Sequence, residues 1–443
     1  MSYSLPLGCE QLDKFLADHR HSFVTYRVAT LSLYDEQVPR LFVDVGPFRH
    51  HRNFRLLFSG QFVSLLGSNL TVVAVPFQVY HQTHSSLWVG VASLVQLPFL
   101  IVGSLWGGAL SDRVDRRKLL VGSSFVLGLL SAALALNAQI DRTQLAALLV
   151  LAALAAGAAG FAGPIRSAAI PLLVGTDELV AAYSLNQVIV NTALVVGPAL
   201  AGVLLASIGL ASCYWLDAAT FAVLMVSTFF MDAMKPVGNH PNGALRQSIY
   251  DGFRYVRTHA TVQAVYLADL NAMVFGLPRA LFPAVALSVY HAGPRVLGLL
   301  YAAPGAGALA MALVTGWVAR VRRRGRLVVL VVVAWGAAMA LFGLVHVVWV
   351  GLSCLALAGA SDVISTVLRN TILQTAITDD YRGRISAIQM AVVTGGPRLG
   401  DFESGAVAGL TSTEFSIVSG GIACIVGAGL LVWRRPRFWR DGR

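Results

Sequence analysis

Seven ionisable side chains inside long apolar runs of this sequence are the strongest candidates for chemistry: Asp269, Arg279, Asp362, Arg369, Arg398, Asp401 and Glu403. A charge at the centre of a bilayer costs about 2.5–3.5 kcal/mol on insertion scales, so each of these must face a partner or a water-filled cavity. Carboxylates held there can take up and release protons, and guanidinium groups there can hold an anion or neutralise an acid. All seven lie in the second half of the chain, which points to that half as the one that handles ions or a charged ligand.

A rise of about 1.5 Å per residue sets the relative depth of each group. It matches Asp269 with Arg369, and Arg279 with Asp401 or Glu403. Arg398 and Asp401 stand three apart on one helix face, where a local ion pair is the simpler expectation. Asp362 has no basic residue three or four positions away on its own helix, which makes it the first candidate for proton coupling, followed by Asp269, Asp401 and Glu403. A hydroxyl partner at Ser365 or Thr366 would instead make Asp362 structural. The first half offers amides, of which Gln61, Asn69 and Asn191 join Arg279 and Arg398 as candidate substrate-binding residues.

The elements that position these groups must be membrane-spanning helices. Of 443 residues, 56% are hydrophobic and 12% charged, against about 25% charged in a soluble domain. Twelve apolar runs reach the roughly 20 residues that a bilayer core requires, the fourth expected at 144–166 and the sixth at 212–231. The organisation expected is a poorly ordered N-terminal extension over 1–50, which holds no apolar run of spanning length, six spans over 51–231, a linker over 232–261, six more spans over 262–433 and a basic tail over 434–443. In the linker, Ile249, Phe253 and Val256 fall at helical spacing among arginines, predicting an interfacial amphipathic helix. The segment from Val43 also predicts an alternative translation start at Val43 or Val45.

Lysine and arginine collect in alternate loops, which puts those loops and both termini in the cytoplasm. The net charge of +11 is therefore topological and implies no nucleic-acid partner. The four cysteines show neither disulfide nor zinc spacing. No nucleophile, metal-protease or nucleotide-binding motif occurs, so no enzyme activity, metal or cofactor is expected, and an ion gradient is left as the energy source. Membrane lipid, protons and a small-molecule substrate are the expected partners of a monomer.

The densest polar feature is Asp112-Arg113-Val114-Asp115-Arg116-Arg117-Lys118, four basic and two acidic residues between two apolar runs. Such a knot must lie at an interface, and Gly107 and Gly108 just before it allow close helix packing. Internal symmetry accompanies it. Displacing the sequence by 208 positions places Gly108 on Gly316, Arg116 on Arg324 and Lys118 on Arg326, and displacing it by 207 places 199–202 on 406–409. Two parallel six-helix repeats are the expected result.

The order Gly108-x-Leu110-x-Asp112-Arg113-x-x-Arg116-Arg117-Lys118 resembles the signature loop between helices 2 and 3 of the major facilitator superfamily. Asp115 stands where that family usually has glycine, which predicts a looser turn. The stretches 269–283, 381–385 and 395–401 are similar to the enterobactin-exporter-like branch, and the resemblance runs from about Phe48 to about Arg435. It implies an all-α polytopic membrane protein with twelve transmembrane helices in two pseudo-symmetric six-helix bundles, helices 1, 4, 7 and 10 bordering a central cavity. It further implies export of a siderophore or drug by proton antiport and alternating access, with an uptake symporter and a non-transporting receptor as the alternatives. Gly108, Asp112, Arg113, Arg116, Arg117, Lys118 and Arg384 would then gate, Asp112 latching onto the start of helix 11 near Arg384. Gly197-Pro198 resembles an exporter signature, while Arg166, at the end of the expected fourth span, is the first arginine of that span.

Overall fold

Backbone N–H and C=O groups find no water in hydrocarbon, so an apolar run that crosses it closes its own hydrogen bonds as a helix. In a computed structural model of the chain, residues 44–140, 144–235, 254–321, 323–377 and 381–441 are described. The first half holds Arg52–Thr83 (α1), Ser86–Ser111 (α2), Arg116–Gln139 (α3), Leu145–Leu173 (α4), Leu179–Ser207 (α5) and Leu210–Phe229 (α6). The second holds Ala260–Val289 (α7), Pro294–Ala312 (α8), Arg324–Leu344 (α9), Val348–Ala376 (α10), Arg382–Leu410 (α11) and Thr413–Arg434 (α12). All but α11 are apolar enough over an 18-residue window to cross a membrane by composition. Helix α11 is 29 residues long and is set apart by its charges, Arg398, Asp401 and Glu403 among them.

The helix pairing repeats itself. Helix α1 packs on α5 and α6, α2 on α4, and α3 on α4 and α6; α7 packs on α11 and α12, α8 on α10, and α9 on α10 and α12. Adding six to every label of the first set yields the second, the two-fold relation of parallel repeats. The halves meet through α2 against α11 and α5 against α8, which are one contact under the same relation.

Glycine makes those crossings close. A Cβ on Gly202 of α5 would stand 2.8 Å from the Gly298 Cα of α8, and one on Gly405 of α11 would stand 2.6 Å from the Ser86 carbonyl of α2. With no hydrophobic drive between helices in lipid, such backbone approach supplies the packing. Both crossings lie at the end of the bundle away from the knot. At that end Tyr80 of α1 and Ser288 of α7 also share a hydrogen bond, at 2.8 Å. Large apolar side chains such as Trp106, Leu129, Val180 and Trp433 stay exposed on the outside, as a lipid-facing surface requires.

The knot is tied into the first half. Asp115 caps α3, accepting from Arg117 N at 3.0 Å, and also accepts from Met234 N at 2.9 Å. Its φ of −54° is open to any residue, so the turn needs no glycine and the carboxylate holds it closed instead. Arg117 donates to the Phe229 carbonyl at the end of α6 and lies 5.4 Å from that ring's centroid. Just before α1, Gly46–His50 forms a short helix, and His50 and His51 both reach Glu178 at the foot of α5, at 2.9 and 3.1 Å. The rest of the expected extension, the candidate start at Val43 and most of the expected linker helix lie outside the described residues. Of that helix, Tyr255 is described, stacked on Tyr381 with ring centroids 4.5 Å apart.

Candidate functional site

The site is built on a break in α7. Its first segment ends at Phe275, where Gly276 and Pro278 interrupt the helix, and the chain resumes through short turns at Arg279–Leu281 and Phe282–Ala284 and a π-helical turn at Val285–Val289. Non-helical backbone at membrane depth persists only where protein groups satisfy it. Here Trp335 Nε1 of α9 donates to the Gly276 carbonyl at 2.5 Å, Tyr301 Oη of α8 donates to the Arg279 carbonyl at 3.1 Å, and Ala280 N donates to Asp401 Oδ1 of α11 at 3.0 Å. Three neighbouring helices thus hold the break that the stretch 269–283 encodes.

Below the break, Asp269 of α7 and Arg369 of α10 form an ion pair, 0% and 3% exposed, the partners that depth alone had matched. Arg369 is shared. Its Nη2 lies 3.6 Å from Asp362 Oδ1, two turns back on α10, and donates to Thr366 Oγ1 at 3.0 Å. Thr366 in turn lies 3.4 Å from Asp362 Oδ1. Asp362 therefore has a basic partner after all, seven positions along its helix, beyond the three- and four-residue spacing considered from sequence. Its carboxylate is 43% exposed and faces a cavity.

That cavity lies between the halves. Asn69, Arg279, Tyr301, Trp335 and Asp362 supply its polar groups, and Val72, Leu194, Pro198 and Leu277 are among its apolar walls. Helices α1, α5, α7, α8, α9 and α10 contribute; α4, expected at the centre, contributes none of its lining. Of the amides expected here, Asn69 reaches it while donating to the Leu65 carbonyl at 2.8 Å. Gln61 instead donates to Asn186 Oδ1 at 3.0 Å, and Asn191 accepts locally from Gln187 at 3.1 Å.

Asp401 makes neither of its expected pairs. Its Oδ1 takes the Ala280 N–H and its Oδ2 takes Ser93 Oγ–H of α2 at 2.8 Å, so it fastens the α7 break to the crossing between the halves. Arg398, three positions before it, makes no ion pair among the described residues, and neither does Arg279 or Glu403. Arg398 points instead to a second cavity, enclosed mainly by α1, α2, α3, α4 and α6.

The first half also holds charge. Asp217 of α6 is 2% exposed and accepts from Thr71 Oγ1 at 2.6 Å and Ser131 Oγ at 2.8 Å. It is absent from the seven groups singled out in sequence, although an aspartate inside the apolar run 212–231 is the same signal that marked the others. Helix α4 extends to Leu173, so Arg166, expected at a span end, lies about 10 Å inside the helix at 1.5 Å per residue, with a buried Nε that lacks a hydrogen-bond partner. Charge is thus present in both halves.

At the knot, a Cβ on Gly107 would overlap the Phe161 carbonyl oxygen of α4, whereas Gly108 would meet only Pro164 Cβ, at 4.0 Å. Asp112 is 52% exposed, with Arg116 Nη2 3.9 Å away, and Lys118 is exposed. The side chain of Arg384 lies outside the described part of α11, and with it the expected contact to Asp112.

Known proteins share this arrangement. The nucleoside transporter NupG, in a mutant form, superimposes with a TM-score of 0.70 at 11% identity, covering 86% of this chain and 99% of that one. A bacterial homologue of the human lysosomal transporter Spinster, inward-facing and unoccupied, gives 0.68 at 13% identity, covering 88% and 97%. At these identities the likeness speaks for the fold. In sequence, the enterobactin exporter EntS of Citrobacter koseri is 32% identical over 391 residues, 88% of this chain and 94% of its own. That of Shigella boydii serotype 18 is 30% identical over 390 residues, 88% and 93%. A family model described as transmembrane secretion effector matches residues 43–439. With twelve long helices in two equivalent sets among the described residues and the match spanning nearly all of them, the chain belongs to the transmembrane secretion effector family of major facilitator transporters.

Proposed function

We propose that this protein exports a small organic molecule, of siderophore or lipophilic-drug type, across the inner membrane in exchange for protons. The observation that carries the reading is the Asp269–Arg369–Asp362 cluster, in which one guanidinium serves a fully buried acid and an acid that faces the cavity. An ionised Asp362 draws on Arg369. A protonated Asp362 leaves Arg369 to Asp269 alone, so a proton arriving from the cavity changes the charge balance between α7 and α10. Arg279 and Arg398 supply positive charge for an anionic substrate, and Asp362 suits a cationic one. Asp269 and Glu403 are the further acids of the proton path, which Asp401 joins only when its bonds to Ser93 and the Ala280 N–H part; Asn69 is the amide of the substrate path in this state, and Gln61 and Asn191 join it once their bonds to Asn186 and Gln187 are released.

Access alternates as two states of the crossing between the halves. The bundles 51–231 and 262–433 rock about the cavity, the linker 232–261, the tail 434–443 and both termini remaining cytoplasmic. The glycine contacts of α5 with α8 and α2 with α11 close the periplasmic end in this state. When they part, Gly108, Asp112, Arg113, Arg116, Arg117 and Lys118 meet the start of α11 near Arg384 and close the cytoplasmic end. The relatives named as enterobactin exporters support outward transport, and a monomer suffices for this cycle.

The test is accumulation of a catecholate siderophore and of a lipophilic cation in cells producing the protein, with and without a protonophore. Lower accumulation that the protonophore reverses, and that Asp362→Asn abolishes, is the expected outcome. Full pH-gradient-driven export by Asp362→Asn would remove that acid from the mechanism, and uptake instead of export would reverse the direction.

A further inference from the structure

Asp217 takes no part in the proton path proposed above, and its surroundings are unlike those of the other acids. It lies about 10 Å inside α6 from Leu210 at 1.5 Å per residue and is 2% exposed. Thr71 of α1 and Ser131 of α3 both donate to Oδ2. Oδ1 is buried and accepts no hydrogen bond. Among the described residues no basic group pairs with it.

The groups around it are almost all neutral. Cys213 and Tyr214 lie on α6 itself, and the Tyr214 hydroxyl donates to Gln78 of α1 at 2.8 Å. Helix α2 contributes Ser93 and Gln96 to the cavity beside Asp217, α3 contributes Ser131 and α4 contributes alanines. Arg398, from α11 of the other half, is the one charged group besides Asp217 that lines this cavity.

An ionised carboxylate without a cation is the costly form at this depth. A neutral acid keeps both hydroxyl contacts on Oδ2, as the carbonyl oxygen, and puts its hydrogen on Oδ1, the atom that lacks a partner. Gly67 makes room there, because a Cβ at that position would stand 2.9 Å from Oδ1. A metal cation would instead require several more oxygen ligands around that atom, where α1 and α6 pack closely.

We propose that Asp217 is a second proton-binding site, set in the first half and loaded on Oδ1 through the cavity bounded by Ser93, Gln96 and Arg398. Loading joins one proton to Oδ1 and changes no other covalent bond. Each half then carries its own titrating acid, and the cavity leads from Asp217 toward the α2–α11 crossing that parts and closes during the cycle. The assignment stands whether or not Asp362 is the coupling acid.

Dicyclohexylcarbodiimide adds to protonated carboxyl groups in apolar surroundings, so labelling reads the proton directly and requires no transport. The full-length protein in lipid vesicles is labelled across a pH series, with and without Na+, and the modified peptides are mapped by mass spectrometry. The peptide bearing Asp217 is expected to be labelled at acidic pH, with labelling falling about tenfold per pH unit above the titration point. It should be indifferent to Na+, absent from Asp217→Asn and retained in Asp362→Asn. No label on wild-type Asp217 at any pH, a label unchanged across the series, or protection by Na+ at constant pH would each overturn the proposal. Loss of export in Asp362→Asn bears on the coupling acid alone.

Discussion

Replacing Arg369 by glutamine should destabilise the protein more than replacing either acid it serves. Arg369 and Asp269 are 3% and 0% exposed, so the change strands a buried carboxylate, and removing one member of a buried pair costs about 3–5 kcal/mol. At 1.36 kcal/mol per factor of ten, that is about two to nearly four powers of ten in the ratio of folded to unfolded protein. Asp269→Asn is milder, because Arg369 remains 3.6 Å from Asp362 and the amide oxygen still accepts, so about 1–3 kcal/mol is expected for the buried donors left poorly met. The double variant should cost less than Arg369→Gln alone, since the fully buried Asp269 no longer carries a stranded charge. Unfolding of the purified variants in mixed detergent and lipid micelles gives the three values against wild type, provided the denaturant slope is unchanged. An Asp269→Asn that costs more than Arg369→Gln, or a double variant as costly as the sum of the singles, would refute the shared-guanidinium account.

Gly298→Val would place a Cβ 2.5 Å from the Pro198 carbonyl and 2.7 Å from the Gly202 Cα. It should keep the α5–α8 crossing from closing, which a longer distance between spin labels on Tyr80→Cys and Ser288→Cys would report. Asp115→Ala removes the cap of α3 and the bond to Met234 N, at an expected cost of about 0.5–2 kcal/mol in unfolding experiments. Asp112→Asn should insert normally and lower efflux, measured in vesicles at equal protein content; wild-type efflux from that variant would remove the latch.

Much of the architecture is legible because hydrocarbon permits so little. A run of about 20 apolar residues that must satisfy its own backbone can only be a helix, and a knot such as 112–118 can only lie at its end, so twelve helices in two equivalent sets follow from sequence. Depth is legible in part, since the rise per residue is constant: it matched Asp269 with Arg369, which pair, and Arg279 with Asp401 or Glu403, which do not. Local spacing served less well. It suggested Arg398 with Asp401 and left Asp362 without a base, whereas Arg398 turns to the other half and Arg369 reaches Asp362 across two turns of α10.

Rotation about the helix axis and the neighbour each face receives were decided by tertiary packing alone. Nothing local distinguishes Asp401, committed to Ser93 and the Ala280 N–H, from Asp362, open to the cavity, because the distinction depends on where α7 breaks and on which helices bring Trp335 and Tyr301 to its free carbonyls. Asp217 shows the same limit. An aspartate in an apolar run can be seen in the sequence, but Thr71 and Ser131 come from helices 146 and 86 residues away, and only the folded bundle assembles them around it. Composition and length therefore determined that the chain spans a membrane and where its long helices run, with α11 and its buried charges falling outside the apolar pattern. Which buried charges are paired, which face water and which stand alone was left to contacts between helices remote in sequence.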